Sequence, residues 1–350
     1  MNSEIIKRII ILLVCTIVVF SAASCAKTPN EPVVPYNPKV DEPGTLRFNS
    51  DGKFKIMFIS DLHSDMDNVV WMMEAMLECE LPDLVIFGGD TCVDVTPDEI
   101  PSHLDALLQP VIERKIPWCH VFGNHDRECG LNGDELQQLY YTYDYCLSSD
   151  VEDLDGTGTY YLPVLRSDSD DIGYIIWCMD SHDYIDGDYD NGYDCVHADQ
   201  VEWYKKTSAE IETDNGKKIN GLMFLHIPLS EFKTIRDNPV ECEQNGFITD
   251  GPCCGPHNFG LFDAIKERGD VTMVVNGHDH VNNASGKLDG ITLAYAGSLT
   301  RNSYINEQLR GVRVAVIDEN NTANPETYFL SAHDRLYKFY RVKGVYDYND

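Results

Sequence analysis

The sequence is poor in basic residues and has no C-x-x-C pair. Of its 350 residues, 27 are Lys or Arg against 58 Asp or Glu, a formal net charge of −31. So acidic a surface repels the phosphates of nucleic acids and anionic membranes, which argues against a non-specific nucleic-acid binder. A phosphorylated substrate would be repelled at long range too, unless bound cations reverse the potential locally. Without a C-x-x-C pair, zinc-ribbon and thioredoxin-type readings fail. There is no internal repeat, and the apolar run Ile9 to Phe20 is short for a membrane span.

What is present at the start reads as a targeting segment over residues 1–25. Lys7 and Arg8 precede the apolar run, and Ser21-Ala22-Ala23-Ser24-Cys25 supplies small residues before a cysteine. This resembles a bacterial lipoprotein signal, with Cys25 as the lipidated first residue of the mature chain. It predicts an exported protein held to a membrane by its lipid anchor, periplasmic or at the cell surface. Residues 26–45 contain five prolines, from Pro29 to Pro43, and read as an extended tether. Residues 46–350 are left as one domain. Of 12 cysteines, Cys15 and Cys25 fall in the signal and ten remain. An exported location permits disulfides. Cys119 and Cys178 sit in apolar runs and read as buried thiols, whereas Cys242, Cys253 and Cys254 are the best disulfide candidates.

From Lys55 onward strands and helices alternate. Helical spacing or caps predict helices over 68–80, 97–114, 134–147, 199–213 and 259–268. In the second, Thr96-Pro97-Asp98-Glu99 reads as a capping box. The last stops at Gly269, a good C-terminal cap. Stretches 159–165 and 173–179 look like a strand pair, and 291–296 and 312–317 are late strands without intervening helices. The order is βαβα, then mixed. It predicts an α/β protein of two packed sheets flanked by helices rather than one doubly wound sheet.

Five apolar runs end in chemistry. Ile56–Ser60 leads to Asp61 and His63, and Leu84–Phe87 to Gly88-Gly89-Asp90. Trp118–Phe122 leads to Gly123-Asn124-His125-Asp126, Leu222–Leu225 to His226, and Val274–Asn276 to Gly277-His278-Asp279-His280. In open α/β sheets, ligands bind outside the carboxyl ends of strands. Two glycines before Asp90 let the backbone turn tightly. Carboxylates, one amide oxygen and several imidazoles form a mixed N/O donor set, which suits Zn, Fe, Mn or Co rather than Ca or Mg. Any one of these motifs is common by chance; five in order at strand ends describe one polynuclear metal site.

In this order, Asp-x-His, Gly-Asp, Gly-Asn-His-Asp, a later His and Gly-His-x-His resemble the calcineurin-like metallophosphoesterases. Gly260-Leu261-Phe262 with Arg268-Gly269-Asp270 is most similar to the purple acid phosphatase-like branch. The resemblance covers roughly Lys55 to Asp318. It implies a four-layer α/β/β/α sandwich of two mixed sheets, with two transition metal ions (Fe, Zn or Mn) at the sheet edges. Asp61, His63, Asp90 and His280 would hold the first, and Asp90, Asn124, His226 and His278 the second. His125 would not ligate but would contact the phosphoryl group or protonate the leaving oxygen, and the second is the role assigned to it. Purple acid phosphatases carry a Tyr three residues after the bridging Asp, where this chain has Val93. Asp94 and Asp126 are the two candidates for orienting His125.

The implied activity is a metal-dependent phosphomonoesterase, with hydroxide generated at the metal pair attacking in line. The alternatives are a phosphodiesterase acting on nucleotide, lipid or glycan diesters, and a metal-bearing scaffold without turnover. Among the remaining histidines, His120 reads as a core residue and His103 as an exposed helical one. His182 is a pocket or second-sphere candidate and His257 a substrate contact. Asp186, Asp188 and Asp190 imitate a calcium loop, but Asn191 and His197 stand where it needs Gly and Glu, so a solvated acidic loop is the better account.

Overall fold

A computed structural model describes residues 45–63, 66–301 and 303–333. The signal segment, Cys25 and residues 26–44 of the tether lie outside the described residues.

The strands in chain order are β1 (Leu46–Arg47), β2 (Lys53–Ile59), β3 (Leu84–Phe87), β4 (Trp118–His120), β5 (Tyr160–Leu165) and β6 (Ile172–Cys178). They continue with β7 (Gly221–Leu225), β8 (Val271–Asn276), β9 (Ser285–Leu288), β10 (Ile291–Tyr295), β11 (Gly311–Asp318) and β12 (Glu326–Ser331). The α-helices are α1 (Met66–Cys79), α2 (Ile100–Glu113), α3 (Gly133–Tyr140), α4 (Ala198–Asn215), α5 (Phe232–Asp237) and α6 (Leu261–Arg268). One sheet has the order β1-β5-β6-β7-β8-β10-β9 and the other β12-β11-β2-β3-β4. Both are mixed. β2, β3 and β4 run parallel, as do β6, β7, β8 and β10, while β11 is antiparallel to β2 and β12.

The strand sequences explain the layers. Strands buried on both faces read as continuous apolar runs. Along β2, Ile56 and Phe58 face the second sheet, whereas Met57 and Ile59 face helices α1 and α2. Between the sheets Phe58 stacks on Phe224 of β7, with ring centroids 5.4 Å apart. On the far side, Ile175, Trp177, Met223 and Val274 pack under α4 and α6 through Tyr204 and Phe262. The result is the four-layer α/β/β/α sandwich. Its parallel strands β2, β3, β4, β7 and β8 point their carboxyl ends the same way within each sheet.

Several local expectations need correction. Helix α2 starts at Ile100, because residues 97–99 form a turn closed by Glu99 N donating to Thr96 O. Thr96 gives its N–H and its hydroxyl to the Glu99 carboxylate rather than capping the helix with its own oxygen. Helix α3 ends at Tyr140, not Leu147. Beyond it Trp118 N donates to Tyr145 O and Leu147 N to Trp118 O, so the chain is drawn along the edge of β4. His103 is buried, not exposed: it faces the loop after β3, with Nε2 2.6 Å from the Thr91 carbonyl. Cys242, Cys253 and Cys254 are free thiols, as are the other described cysteines.

His120 is a core residue, as read. Its Nδ1 meets Ser148 Oγ at 2.7 Å, its Nε2 meets Gln137 Oε1 at 3.0 Å, and its ring stacks on Tyr140. Burial pushes its pKa down to about 3, against the pull of Gln137 and Asp180. The unfolded chain takes up this proton near pH 6.5 and the folded chain does not. The contribution of neutral His120 to stability is therefore full above about pH 6.5 and is lost as pH falls toward 3. Chemical denaturation at several pH values should show that slope, and His120→Gln should flatten it.

Candidate metal centre

The ends of β2, β3, β4, β7 and β8 meet at one point. Four residues there, Asp61, His63, Asp90 and His278, have φ of 54, 56, 52 and 73°. This left-handed backbone is uncommon outside glycine, and several such residues at one place mark a site held in a strained geometry. The flanking glycines answer to it. At Gly89 (φ 94°) a Cβ would sit 2.6 Å from His226 Nδ1, and at Gly277 a Cβ would sit 2.8 Å from Asp61 Oδ2. Bonds between the loops fix the meeting. Leu62 N and His63 N donate to the Asp90 carbonyl, and His278 N donates to both Asp61 oxygens at 3.0 and 3.1 Å.

Asp61, His63, Asp90 and His280 each bring one donor atom within 4.8 Å of the others, and Asp90, His226 and His278 do the same. Asn124 joins the second group, its Oδ1 3.2 Å from His226 Nε2. All seven predicted ligands are thus brought together, in two groups that share Asp90. Asp61 and Asp90 are 1% exposed, and among the described residues their ion-pair partners are histidines: Asp61–His280 and Asp90–His226, each at 3.4 Å. Buried carboxylates need a cation or strong pairing.

The spacing fits metal coordination. Bonds of about 2.0–2.1 Å place neighbouring donors about 2.9 Å apart in an octahedron and about 3.4 Å in a tetrahedron. The observed pairs are His63 Nε2 to His280 Nε2 at 3.0 Å, His226 Nε2 to Asn124 Oδ1 at 3.2 Å, and the two histidine–carboxylate pairs at 3.4 Å. Protonation divides the donors. Burial works against charge on both Asp61 and Asp90, yet the surrounding histidines hold both below the usual carboxylate range. Burial also lowers His63 and takes His278 down to about 3, which keeps these two rings neutral with one nitrogen free to ligate. Against burial, Asp90 and Asp61 raise His226 to about 10 and raise His280, so without a metal those two rings supply the positive charge the carboxylates need. His226 Nδ1 lies 2.7 Å from the Gly88 carbonyl, which leaves Nε2 to face the donor group.

The Calcineurin-like phosphoesterase family model matches residues 54–282. This chain belongs to that family. It is 30% identical over 298 residues to Probable inactive purple acid phosphatase 14 of Arabidopsis thaliana, covering 74% of this chain and 73% of that protein. It is 27% identical over 288 residues to Phosphatase DCR2 of Saccharomyces cerevisiae, covering 72% of this chain and 49% of that protein. A solved dimetal phosphatase from Danio rerio shares the fold, with a TM-score of 0.50 and 12% identity over 79% of this chain and 98% of its own.

Around this metallophosphoesterase centre the structure revises the supporting residues. His125 is half-buried beside His63, with ring centroids 5.9 Å apart. Neither Asp94 nor Asp126 orients it. Asp94 is exposed, and the buried Asp126 carboxylate accepts from the backbone N–H groups of Asp90, Thr91, Cys92 and Gly123. The carboxylate at His125 Nδ1 is Glu128, at 2.9 Å. Its position three residues on, in one helical turn, is the signal that finds it in the sequence. Val93 is buried in the core.

Three tyrosines complete the surround. Asn124 Nδ2 donates to Tyr184 Oη at 3.0 Å, which turns Oδ1 toward His226. Tyr193 meets His278 edge-on at 4.3 Å, and Tyr304 stacks flat on His280 at 4.4 Å. They come from loops with no periodicity to announce them. His182 stacks on His197 at 3.9 Å and His257 is exposed; both line a cleft beside the centre rather than the donor groups. Asp279 turns away from the donors and accepts from Cys253 N at 3.3 Å.

Proposed function

We propose that this chain is a metal-dependent phosphomonoesterase. The observation that carries this is the pair of buried carboxylates, Asp61 and Asp90, set among four histidines and Asn124, with no lysine or arginine in their ion pairs among the described residues. In this reading Asp61, His63, Asp90 and His280 hold one ion, and Asp90, Asn124, His226 and His278 hold the other. The mixed N/O donors favour Fe, Zn or Mn. Two such ions supply Lewis acidity and positive charge for a phosphoryl group.

The chain's own residues do the rest. Gly88 O, and Asn124 through Tyr184, orient the donors. His125 keeps Nδ1 on Glu128, so that its Nε2 delivers a proton to the leaving oxygen while the carboxylate steadies the imidazolium. The names of the relatives divide: the plant protein is called inactive and the yeast protein a phosphatase. What supports turnover here is that His125 and both donor groups are complete in this chain. The lipoprotein-type start supports an exported protein anchored through Cys25.

The test is hydrolysis by the full chain, loaded with Zn, Mn or Fe, of an aryl phosphomonoester and the matching diester, with metal measured on the same sample. A monoester rate well above the diester rate is expected. The reverse order would make the protein a phosphodiesterase. Two metals without turnover of either would make it a scaffold, and no bound metal would end the proposal.

A further inference from the structure

One hydroxyl stands between the metal donors and the proton donor. Tyr184 Oη accepts from Asn124 Nδ2 at 3.0 Å and donates to Glu128 Oε1 at 3.3 Å. The other oxygen of Glu128 lies 2.9 Å from His125 Nδ1. A phenol has one O–H to give and lone pairs to receive, so both of its bonds form at once. An ionised carboxylate only accepts and an amide NH₂ only donates, which fixes the direction of both. The contacts therefore run from His226 Nε2, which Asn124 Oδ1 faces at 3.2 Å, through Tyr184 and Glu128 to the ring of His125.

The hydroxyl is held more firmly than the carboxylate it serves. Tyr184 is 9% exposed, whereas the Glu128 side chain is 49% exposed and, left alone, would sample several rotamers. An antiparallel bridge pairs Tyr184 with Tyr193, and Ile185 N donates to Gly192 O, which closes the loop between them. The Tyr184 ring stacks on Tyr193 at 5.7 Å and meets Tyr189 edge-on at 5.4 Å. We propose that Tyr184 is a positioning residue for both halves of the centre: its hydroxyl turns Asn124 toward one metal and holds Glu128 against His125, so that ligation and proton delivery depend on one group. The inference rests on the phosphoesterase reading of the centre. The Tyr184–Glu128 contact is the longest of the series, and such contacts are often long in a free enzyme and tighten with substrate bound.

Tyr184→Phe removes the hydroxyl and keeps the ring, so the packing on Tyr193 and Tyr189 is retained. In the full chain, zinc affinity measured by competition with a chelator should fall about tenfold at one of the two sites, the lower end of the usual cost of losing a ligand's outer partner. At saturating zinc, kcat on an alkyl phosphomonoester should fall about tenfold and on an aryl ester less than about threefold, with KM unchanged on both. In a Glu128→Ala background the same substitution should still weaken zinc but cost the alkyl ester nothing further. Tyr189→Phe, at a ring 69% exposed, should change neither. A readout independent of turnover is the Nδ1 proton of His125, followed by NMR in the zinc-loaded chain; it should exchange faster with solvent in Tyr184→Phe. Weaker zinc without a change at His125, a change at His125 without weaker zinc, or no change in either would overturn the proposal. If zinc and the Nδ1 proton both respond while the unaltered protein hydrolyses neither ester, the phosphoesterase reading fails and the positioning role stands.

Discussion

Asp90→Asn is expected to strip metal from both positions and abolish hydrolysis. Asp90 is the one residue common to the two donor groups, and it is 1% exposed. An amide supplies one neutral oxygen in place of a charged group with two, so one ion would lose its ligand and both would lose the shared counter-charge. Loss of a partner outside the ligand shell typically costs about 10–100-fold in metal affinity or activity, so a shared ligand should cost more than about a hundredfold. Metal analysis after dialysis, with rates on the same sample, decides it. Full occupancy with normal turnover would show that Asp90 is not shared. The fold should survive, because the inter-sheet core around Phe58 and Phe224 does not involve Asp90.

His125→Ala should separate what Asp90→Asn combines. His125 belongs to neither donor group, and its side chain contacts Glu128 and the His63 ring. Metal content should be unchanged while the rate falls about 10²–10⁴-fold, the usual contribution of a general acid. The loss should be largest for an alkyl ester, whose leaving oxygen needs the proton, and small for an aryl ester with an acidic phenol. Equal losses on the two esters would mean that His125 positions the phosphoryl group rather than protonating the leaving oxygen. Glu128→Gln should show the same substrate dependence with a smaller loss.

The candidate donors are legible because each follows the end of a strand, and a strand buried on both faces writes a continuous apolar run. Glycines beside Asp90 and His278 marked the tight turns, although the sequence did not show that Asp61, His63, Asp90 and His278 themselves take left-handed backbone. The supporting residues were less legible. Asp126 belongs to a familiar motif, and only the paths of its neighbours' N–H groups show that it braces a loop. Tyr184, Tyr193 and Tyr304 reach the centre from loops, where no period links a residue to a face. The error at α3 has a similar source: Tyr140 to Leu147 reads well as helix, but pairing of the chain with β4 wins locally over helical propensity. His103 departs from the exposed helical position its sequence suggests because the face it occupies is covered by a loop, not by another regular element.

The carboxylate of Asp126 has a further consequence. Converging backbone N–H groups at a strand end form a concavity that suits an anion, and many proteins use such a nest to cradle phosphate. Here the N–H groups of Asp90, Thr91, Cys92 and Gly123 already converge on an anion, the protein's own. Those four donors are spoken for before any substrate arrives. The chain has in effect filled its peptide phosphate cradle with an internal mimic, so on the proposed phosphoesterase reading these four N–H groups are not the ones that hold phosphoryl oxygens.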